Sequence, residues 1–234
     1  MKEYILTAEH IQKEYDRSIV LRDASIHLKQ GDIYGLVGKN GSGKTTLLRI
    51  MTGLIQSYKG NVTVGEIQGQ KCKIAAVINA PSLFLNMSAL ENMKEQAILL
   101  GLHNDNKIRQ TLKTVGLDGC NSKLVKNFSL GMTQRLKLGV ALLENPDILI
   151  LDEPVNGLDP NGIADLRQLL LHLNQEHGMT ILISSHVLSE LEHTATCFGI
   201  LHDGEIVKEM SIQDVLQNEN TLEAFYMQYT RGVK

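Results

Sequence analysis

The residues best suited to chemistry lie in one glycine-rich run between Val37 and Leu47. It reads Gly-Lys-Asn-Gly-Ser-Gly-Lys-Thr-Thr, the phosphate-binding pattern of a glycine, four variable residues and then Gly-Lys-Ser/Thr. Glycines let a loop bend tightly and point its N–H groups inward, and with a helix N-terminus these donors suit a polyphosphate. The predicted binding residues are Gly38, Asn40, Gly41, Ser42, Gly43, Lys44, Thr45 and Thr46. Alone, the run could also be a glycine-rich turn without a ligand.

The segments on either side give the run the context that this pattern requires. Residues 33–37 are apolar and predict a buried strand, and residues 47–51 predict a helix. In such a strand, loop and helix, Lys44 would reach the β- and γ-phosphates as a point charge. The hydroxyl of Thr45 would ligate Mg2+.

A pair of acidic residues, Asp152 and Glu153, follows a second apolar run at residues 148–151. This run predicts a buried strand of a parallel sheet, and ligands of such sheets bind at the carboxyl edge. Asp152 could hold Mg2+, while Glu153 could act as a general base towards an attacking water. The other interpretation of the pair is two acids that cap a turn.

The remaining pattern predicts an α/β domain. Short strands are expected from residue 4 to residue 36, and a hairpin is expected to turn on Asp203-Gly204. Helices are expected from a capping box at Ser88, over residues 107–115, from about Gly131 to residue 145, and after Asp159. Alternating strands and helices predict a mostly parallel sheet that is covered on both faces. The helical block interrupts this alternation and is interpreted as an inserted subdomain.

Taken together, these motifs resemble the ATP-binding subunit of an ABC transporter over essentially the whole chain. Gly38 to Thr46 correspond to the Walker A loop, and the strand ending in Asp152 and Glu153 to Walker B with its catalytic glutamate. The resemblance adds a switch histidine at His186 and an adenine-stacking aromatic at Tyr15. Ser129 and Gly131 stand in the signature segment, which contacts the nucleotide of a second subunit.

The resemblance also implies an architecture and a set of partners. The expected fold is a P-loop NTPase with a RecA-like core, an N-terminal antiparallel β layer and an inserted α-helical subdomain. Residues 1–80 and 146–234 would form the nucleotide-binding core, and residues 81–145 the helical subdomain. The implied ligands are ATP and Mg2+. The implied partners are a second ATP-binding subunit and an integral membrane permease, which would hold the chain at the cytoplasmic face of the cell membrane.

Two departures from the family pattern narrow the resemblance. The signature has Leu130 where a glycine is expected and Met132 where a glutamine is expected. Asn79 stands where most relatives have the Q-loop glutamine, which links the attacking water to the helical subdomain. With the residues around them, these two segments are similar to the bacitracin-resistance and lantibiotic-immunity type of ABC ATPase.

The alternative to a transport function is an ABC ATPase with a non-transport role, such as antibiotic sensing. Glu153 disfavours a pure binding module.

Composition excludes several other classes of function. The chain has 234 residues, 43% of them hydrophobic, which suffices for a substantial core. Its net charge of −3 gives no electrostatic reason to expect a nucleic-acid partner. Three isolated cysteines predict neither a disulfide framework nor a metal knuckle, and fit a reducing compartment. The first residues do not resemble a signal peptide, and no apolar run reaches the roughly 20 residues that span a bilayer.

Overall fold

Among the residues that the structure describes, the glycine-rich run leaves the carboxyl end of a buried strand in a nine-stranded sheet. The structure is a computed structural model, and it describes residues 4–16, 18–78, 83–120, 122–218 and 221–230. The strands are β1 Tyr4–Tyr15, β2 Ser18–Lys29, β3 Ile33–Val37, β4 Lys59–Val64, β5 Glu66–Ile67, β6 Gln70–Lys71, β7 Ile74–Val77, β8 Ile148–Asp152, β9 Thr180–Ser185, β10 Cys197–His202 and β11 Glu205–Ser211.

The helices follow the predicted pattern closely. They are α1 Lys44–Met51, α2 Ala89–Leu99, α3 Asp105–Thr114, α4 Leu130–Leu142, α5 Pro160–His177, α6 Leu188–Glu192, α7 Ile212–Asn218 and α8 Leu222–Thr230, with a 3-10 turn at Val125–Asn127. The capping box is confirmed, because the Ser88 hydroxyl accepts from the Glu91 N–H while the Glu91 carboxylate accepts from the Ser88 N–H. Asp159 caps α5 as predicted, with Pro160 at its first position. Within the described chain, no helix combines the length and apolarity needed to span a bilayer.

The sheet runs in the order β4-β1-β2-β11-β10-β3-β9-β8-β7. Neighbouring strands from β10 to β7 are all parallel, which confirms the predicted parallel core. The packing of β8 explains why residues 148–151 are all apolar. Ile148 and Ile150 face one hydrophobic cluster, which contains α1 and β1, while Leu149 and Leu151 face another, which contains α2, α4 and α5. Both faces of the parallel strands are therefore buried.

The N-terminal antiparallel layer consists of β4, β1 and β2. It continues the same sheet, because β2 pairs in parallel with β11 through Asp23 and Glu205. The prediction of short strands was wrong here, since β1 and β2 have 12 residues each. Register shifts interrupt their pairing, and His10 has a φ of 53°. Such bulges break the alternation of apolar and polar residues, so one long strand looks like several short ones.

The predicted inserted subdomain contains α2, α3 and α4. Their apolar faces pack into the same cluster as β8 and β9, with Met93, Leu112 and Leu136 all buried. Helix α3 begins two residues earlier than expected, because Asn104 caps it through the Lys107 N–H. Helix α4 ends at Leu142, before the predicted stop. The boundaries between the helical subdomain and the nucleotide-binding core, at residues 81 and 146, stay a prediction.

Candidate functional site

The glycine-rich loop is built so that only glycine fits at its key positions. A Cβ on Gly38 would lie 2.5 Å from the Ser42 Oγ and 2.6 Å from the Leu201 carbonyl oxygen. Gly41 and Gly43 have φ of 83° and 106°, in the region that favours glycine. A side chain on Gly43 would also meet Leu21 at 2.8 Å. The loop is therefore a tight backbone cradle rather than an ordinary turn.

The donor set of this cradle suits an anion. Helix α1 starts directly after Gly43, so the N–H groups of its first turn point back towards the loop. The Ser42 Oγ is buried and has no hydrogen-bond partner among the described residues. A buried hydroxyl normally finds a partner, and a ligand oxygen would supply one. Asn40 and Gly41 are exposed at the mouth of the loop, and Thr46 is half-buried in α1.

Lys44, the first residue of α1, brings a positive charge into this cradle. Its side chain is only 5% exposed. Its Nζ donates to the Gly38 carbonyl at 2.7 Å and to the Lys39 carbonyl at 3.2 Å, and it forms an ion pair with the Glu153 Oε1 at 3.0 Å. A buried ammonium normally requires such partners. The loop and the acidic pair are thus joined through one side chain.

Thr45 and Asp152 meet where α1 faces the end of β8. The Thr45 hydroxyl donates to the Asp152 Oδ2 at 2.7 Å, and the Ser184 hydroxyl donates to the Asp152 Oδ1 at 2.6 Å. Ser184 lies at the end of β9 and is fully buried. Its hydroxyl also accepts from the Glu153 N–H at 2.8 Å, so one residue orients both acids. Hydroxyl and carboxylate oxygens are the ligands that Mg2+ prefers.

Glu153 occupies a constrained position just beyond β8, where its φ of 49° is unusual for a residue with a side chain. Its carboxylate pairs with Lys44, accepts from the Asn156 amide at 2.8 Å and contacts the Nδ1 of His186. Burial raises the pKa of Glu153, but the bonds and charge of Lys44, with the bonds from Asn156 and His186, outweigh it and hold that pKa below its usual range. Glu153 is therefore a carboxylate at neutral pH.

The structure thus joins five of the predicted site residues through direct contacts: Lys44, Thr45, Asp152, Glu153 and His186. Sequence reasoning missed two further members, Ser184 and Asn156. A polar residue at the end of an otherwise apolar buried strand was the signal for Ser184. Asn156 gave no comparable signal, because its role follows from the turn that begins at Glu153.

The predicted signature residues line a separate cleft. Ser129 caps α4 by accepting from the Met132 N–H at 3.2 Å, and Gly131 lies in the first turn. The facing wall of the cleft is the segment from Gly157 to Asp165, and the Arg135 Nη2 reaches the Asp165 Oδ2 at 2.5 Å. The cleft has a volume of about 440 Å³. The exposed Ser129 leaves the start of α4 accessible from outside.

Tyr15 ends β1 with 42% of its surface exposed. The Lys13 Nζ lies 4.7 Å from the centre of its ring and donates to the Ser57 carbonyl at 2.6 Å. Exposure of the ring suits the predicted stacking on adenine. Asn79, the predicted Q-loop residue, lies outside the described residues, so its role stays a prediction from the sequence.

Comparison with known families decides what this site belongs to. The family described as ABC transporter matches residues 21–156, which include the phosphate loop, the signature segment and the acidic pair. The chain belongs to the ABC transporter family. It is an ATP-binding subunit of such a transporter, and its enzymatic activity is ATP hydrolysis.

Three relatives show how far this similarity extends. The chain is 41% identical to the uncharacterized ABC transporter ATP-binding protein YcbN of Bacillus subtilis, over 98% of this chain and 77% of that protein. It is 40% identical to the bacitracin transport ATP-binding protein BcrA of Bacillus licheniformis, over 92% of this chain and 72% of BcrA. It is 39% identical to the lantibiotic transport ATP-binding protein SrtF of Streptococcus pyogenes, over 88% of this chain and 90% of SrtF.

Solved structures confirm the fold. The ADP conformation of MJ1267, an ATP-binding cassette of an ABC transporter, matches with a TM-score of 0.82 at 23% identity, over 95% of this chain and 98% of that one. A dimeric structure of the cassette MJ0796 with ADP and phosphate matches with a TM-score of 0.75 at 24% identity, over 88% and 98%. The predicted P-loop NTPase fold of the ABC type is therefore confirmed.

Proposed function

We propose that this chain is the Mg2+-dependent ATPase that powers a membrane permease exporting a peptide antibiotic or clearing it from the membrane. The observation that carries the catalytic part is the environment of Glu153. Its carboxylate is ionised, is held on three sides by Lys44, Asn156 and His186, and lies beside the phosphate cradle. Hydrolysis needs a base beside the phosphate site, whereas a pure binding module needs none.

Exchange of one ion pair prepares this base for its task. Lys44 binds Glu153 at 3.0 Å while it also donates to two carbonyls of the loop. The β- and γ-phosphates of ATP offer Lys44 a more highly charged partner, and its charge moves towards them. Glu153 then turns its freed oxygen to a water molecule in line with the γ-phosphate. His186 remains at the other oxygen and holds the carboxylate in place.

The same end of the sheet fits a magnesium ion. Thr45 and Asp152 would hold it, since their oxygens already converge and Ser184 fixes the Asp152 carboxylate from behind. When bound, the ion neutralises phosphate charge. The described residues contain no cluster of three or more His, Cys, Asp or Glu side chains that would hold a metal alone. This agrees with an ion that is shared between few protein oxygens and the nucleotide.

The cleft that Ser129 and Gly131 line, here the signature cleft, is the inferred contact with a second ATP-binding subunit. ABC ATP-binding subunits work as dimers with membrane permeases, and the MJ0796 cassette is a dimer in its ADP-bound structure. We infer that Ser129 and Gly131 face the phosphate loop of a second copy, where the Ser129 hydroxyl and the first N–H groups of α4 meet the γ-phosphate. Tyr15 stacks on the adenine of the chain's own nucleotide.

The substrate class follows from the relatives rather than from the site. BcrA is a bacitracin transport protein and SrtF a lantibiotic transport protein, and both align with about nine tenths of this chain. Both antibiotics are peptides, so we infer that the permease handles a peptide antibiotic. The chain itself would remain on the cytoplasmic face, bound to that permease.

A deletion and complementation series tests this proposal in cells. Deleting the gene should increase susceptibility to bacitracin or to a lantibiotic, and the wild-type chain should restore resistance. Glu153→Gln should fail to restore it, while Glu176→Gln should succeed, because Glu176 is an exposed residue on α5 away from the site. Unchanged susceptibility to both classes of antibiotic would overturn the assigned substrate. Loss of antibiotic-induced transcription without loss of efflux would instead indicate a sensing role.

A further inference from the structure

The first residue of α4 contacts the segment that follows the catalytic acids. Leu130 is 48% exposed, yet its Cδ2 lies against Gly157, where a built Cβ would approach it to 2.9 Å. Gly157 also has a φ of 77°. Position 157 thus has room for Leu130 because it carries no side chain. The family pattern expects glycine at position 130, so this contact comes from the departure of this chain.

Two other contacts hold the same surfaces together. The Cδ2 of Leu158 lies 4.0 Å from the position of a Cβ on Gly131, so the second residue of α4 also abuts this segment. One turn further, the Arg135 Nη2 pairs with the Asp165 Oδ2 at 2.5 Å. The beginning of α4 therefore rests on residues 157–165 at three successive points. A displacement of α4 would therefore also displace residues 157–165.

The contacted segment leads back to Glu153 over a very short distance in the chain. The Asn156 N–H donates to the Glu153 carbonyl at 3.2 Å, and the Leu158 N–H donates to the Val155 carbonyl at 3.1 Å. These bonds make residues 153–158 a tight turn. In this turn the Asn156 side-chain amide donates to the Glu153 Oε2 at 2.8 Å. Gly157, which Leu130 contacts, is the residue next to Asn156.

We propose that Leu130 is a positioning residue for ATP hydrolysis, which acts through Gly157 to hold the Asn156 amide against the Glu153 carboxylate. Helix α4 is thereby coupled to the base of its own subunit as well as facing the nucleotide of the second. The proposal rests on the proposed role of Glu153 as the base. It assigns a purpose to the leucine at position 130, because a glycine there could not reach Gly157.

A double-mutant cycle on the full chain tests this coupling. Leu130→Ala should lower kcat for ATP hydrolysis by about threefold to tenfold with little change in KM, since a small misplacement of a reacting group costs rate. Asn156→Ala should lower it similarly. The double variant should be no slower than Asn156→Ala alone, because both changes remove the same linkage. Leu130→Met should keep most of the rate, and Leu99→Ala, at a 74% exposed position of α2, should keep all of it.

Three results would overturn the inference. One is additivity of the Leu130 and Asn156 effects. Another is a rate loss that Leu130→Met shares with Leu130→Ala. A third is a rise in KM or a loss of dimer in Leu130→Ala that persists unchanged in the Asn156→Ala background, which would place Leu130 at the contact between subunits instead. Glu153→Gln separates this inference from the proposed function, because normal turnover in that variant removes both, whereas slow turnover with an additive cycle removes this inference alone.

Discussion

At the scale of single residues, one lysine links the two halves of the site. Lys44 is buried, and its partners are two loop carbonyls and the Glu153 carboxylate. A buried charge is tolerated only while it is paired, so ATP can draw Lys44 away from Glu153 because phosphate replaces the lost partner. We therefore infer that the phosphates of ATP would take the place of Glu153 beside Lys44.

Replacing Lys44 tests this exchange directly. Lys44→Ala should weaken ATP binding by about 100-fold or more, since truncating one member of a buried charge pair is costly for binding. Far-UV circular dichroism and the melting temperature should show that the fold is retained. Lys39→Ala is the matched control, because Lys39 is exposed and contributes its carbonyl rather than its side chain to the loop. Unchanged affinity in Lys44→Ala, measured by calorimetry, would contradict the phosphate-loop assignment.

Tyr15 allows a test of base stacking against packing. The ring is exposed and is braced by Lys13 on β1, so its removal should not disturb a core. Tyr15→Phe should bind ATP almost normally, while Tyr15→Ala should bind roughly fivefold to tenfold more weakly, because stacking needs only the ring. Affinity and melting temperature are measured together for both variants. Early melting with normal affinity in Tyr15→Ala would show that the tyrosine has a structural role.

At the scale of elements, the strand that leads into the phosphate loop is fixed by a fit between β3 and β10. The Tyr34 ring is buried and its hydroxyl donates to the Glu209 carboxylate at 2.7 Å. A Cβ on Gly199 in β10 would lie 2.0 Å from that hydroxyl oxygen and 3.0 Å from the Tyr34 Cζ. Gly199 is therefore required by its neighbour on β3. Its φ lies outside the positive range that favours glycine.

A second double-mutant cycle measures this fit. Gly199→Ala should destabilise the fold by about 1–3 kcal/mol, as overpacking of a core does. In the Tyr34→Phe background the cost should be smaller by about 1 kcal/mol, because the closest clash is removed and the two positions are coupled. Urea unfolding of the four proteins gives these values. Equal costs of Gly199→Ala in both backgrounds would mean that Tyr34 is not the constraint.

The sequence predicted that the glycine-rich loop and the acidic pair meet at one end of the sheet, and the reason is physical. Parallel buried strands are indicated by continuous apolar runs, and their carboxyl ends lie at one edge of the sheet, so the glycine-rich loop and the pair Asp152-Glu153 could be expected together. The place of His186 beside them was implied only by the family resemblance, and the structure shows its contact with Glu153. Contacts made across the tertiary structure were not visible in the same way. Asn156 bonds Glu153 only because of a turn with positive φ, and Leu130 reaches Gly157 only because α4 packs beside it. The length of β1 was hidden by its bulges.

At the scale of the whole molecule, the two faces of the sheet pack against different parts of the fold. One hydrophobic cluster joins α1 to the antiparallel layer, and the other joins the helical block to β8 and β9. The phosphate loop thus belongs to one cluster and the signature helix α4 to the other. Two copies that meet head to tail would place the loop of each against α4 of the other, and bound ATP would favour that closed state.

The oligomeric state should therefore depend on nucleotide. With ATP and Mg2+, Glu153→Gln should shift from monomer to dimer in size-exclusion chromatography with light scattering, because the bridging phosphate is bound but not hydrolysed. Chelation of Mg2+ or replacement of ATP by ADP should return it to monomer. Ser129→Ala should weaken the shift, since its hydroxyl is one of the inferred contacts. A state that does not change with ATP would contradict the inferred role of the signature cleft.

The most direct test of the account is the rate of ATP turnover by Glu153→Gln at saturating ATP and Mg2+, compared with the wild-type chain and with Glu176→Gln. The substitution keeps the shape of the side chain, removes the proton acceptor, and replaces the ion pair between Glu153 and Lys44 by a contact with a neutral amide. Turnover should fall by about 100-fold or more while ATP binding is retained, because general base catalysis is lost but the phosphate cradle is intact. Glu176→Gln should hydrolyse ATP at the wild-type rate. Near-normal turnover by Glu153→Gln would contradict the assignment of Glu153 as the catalytic base.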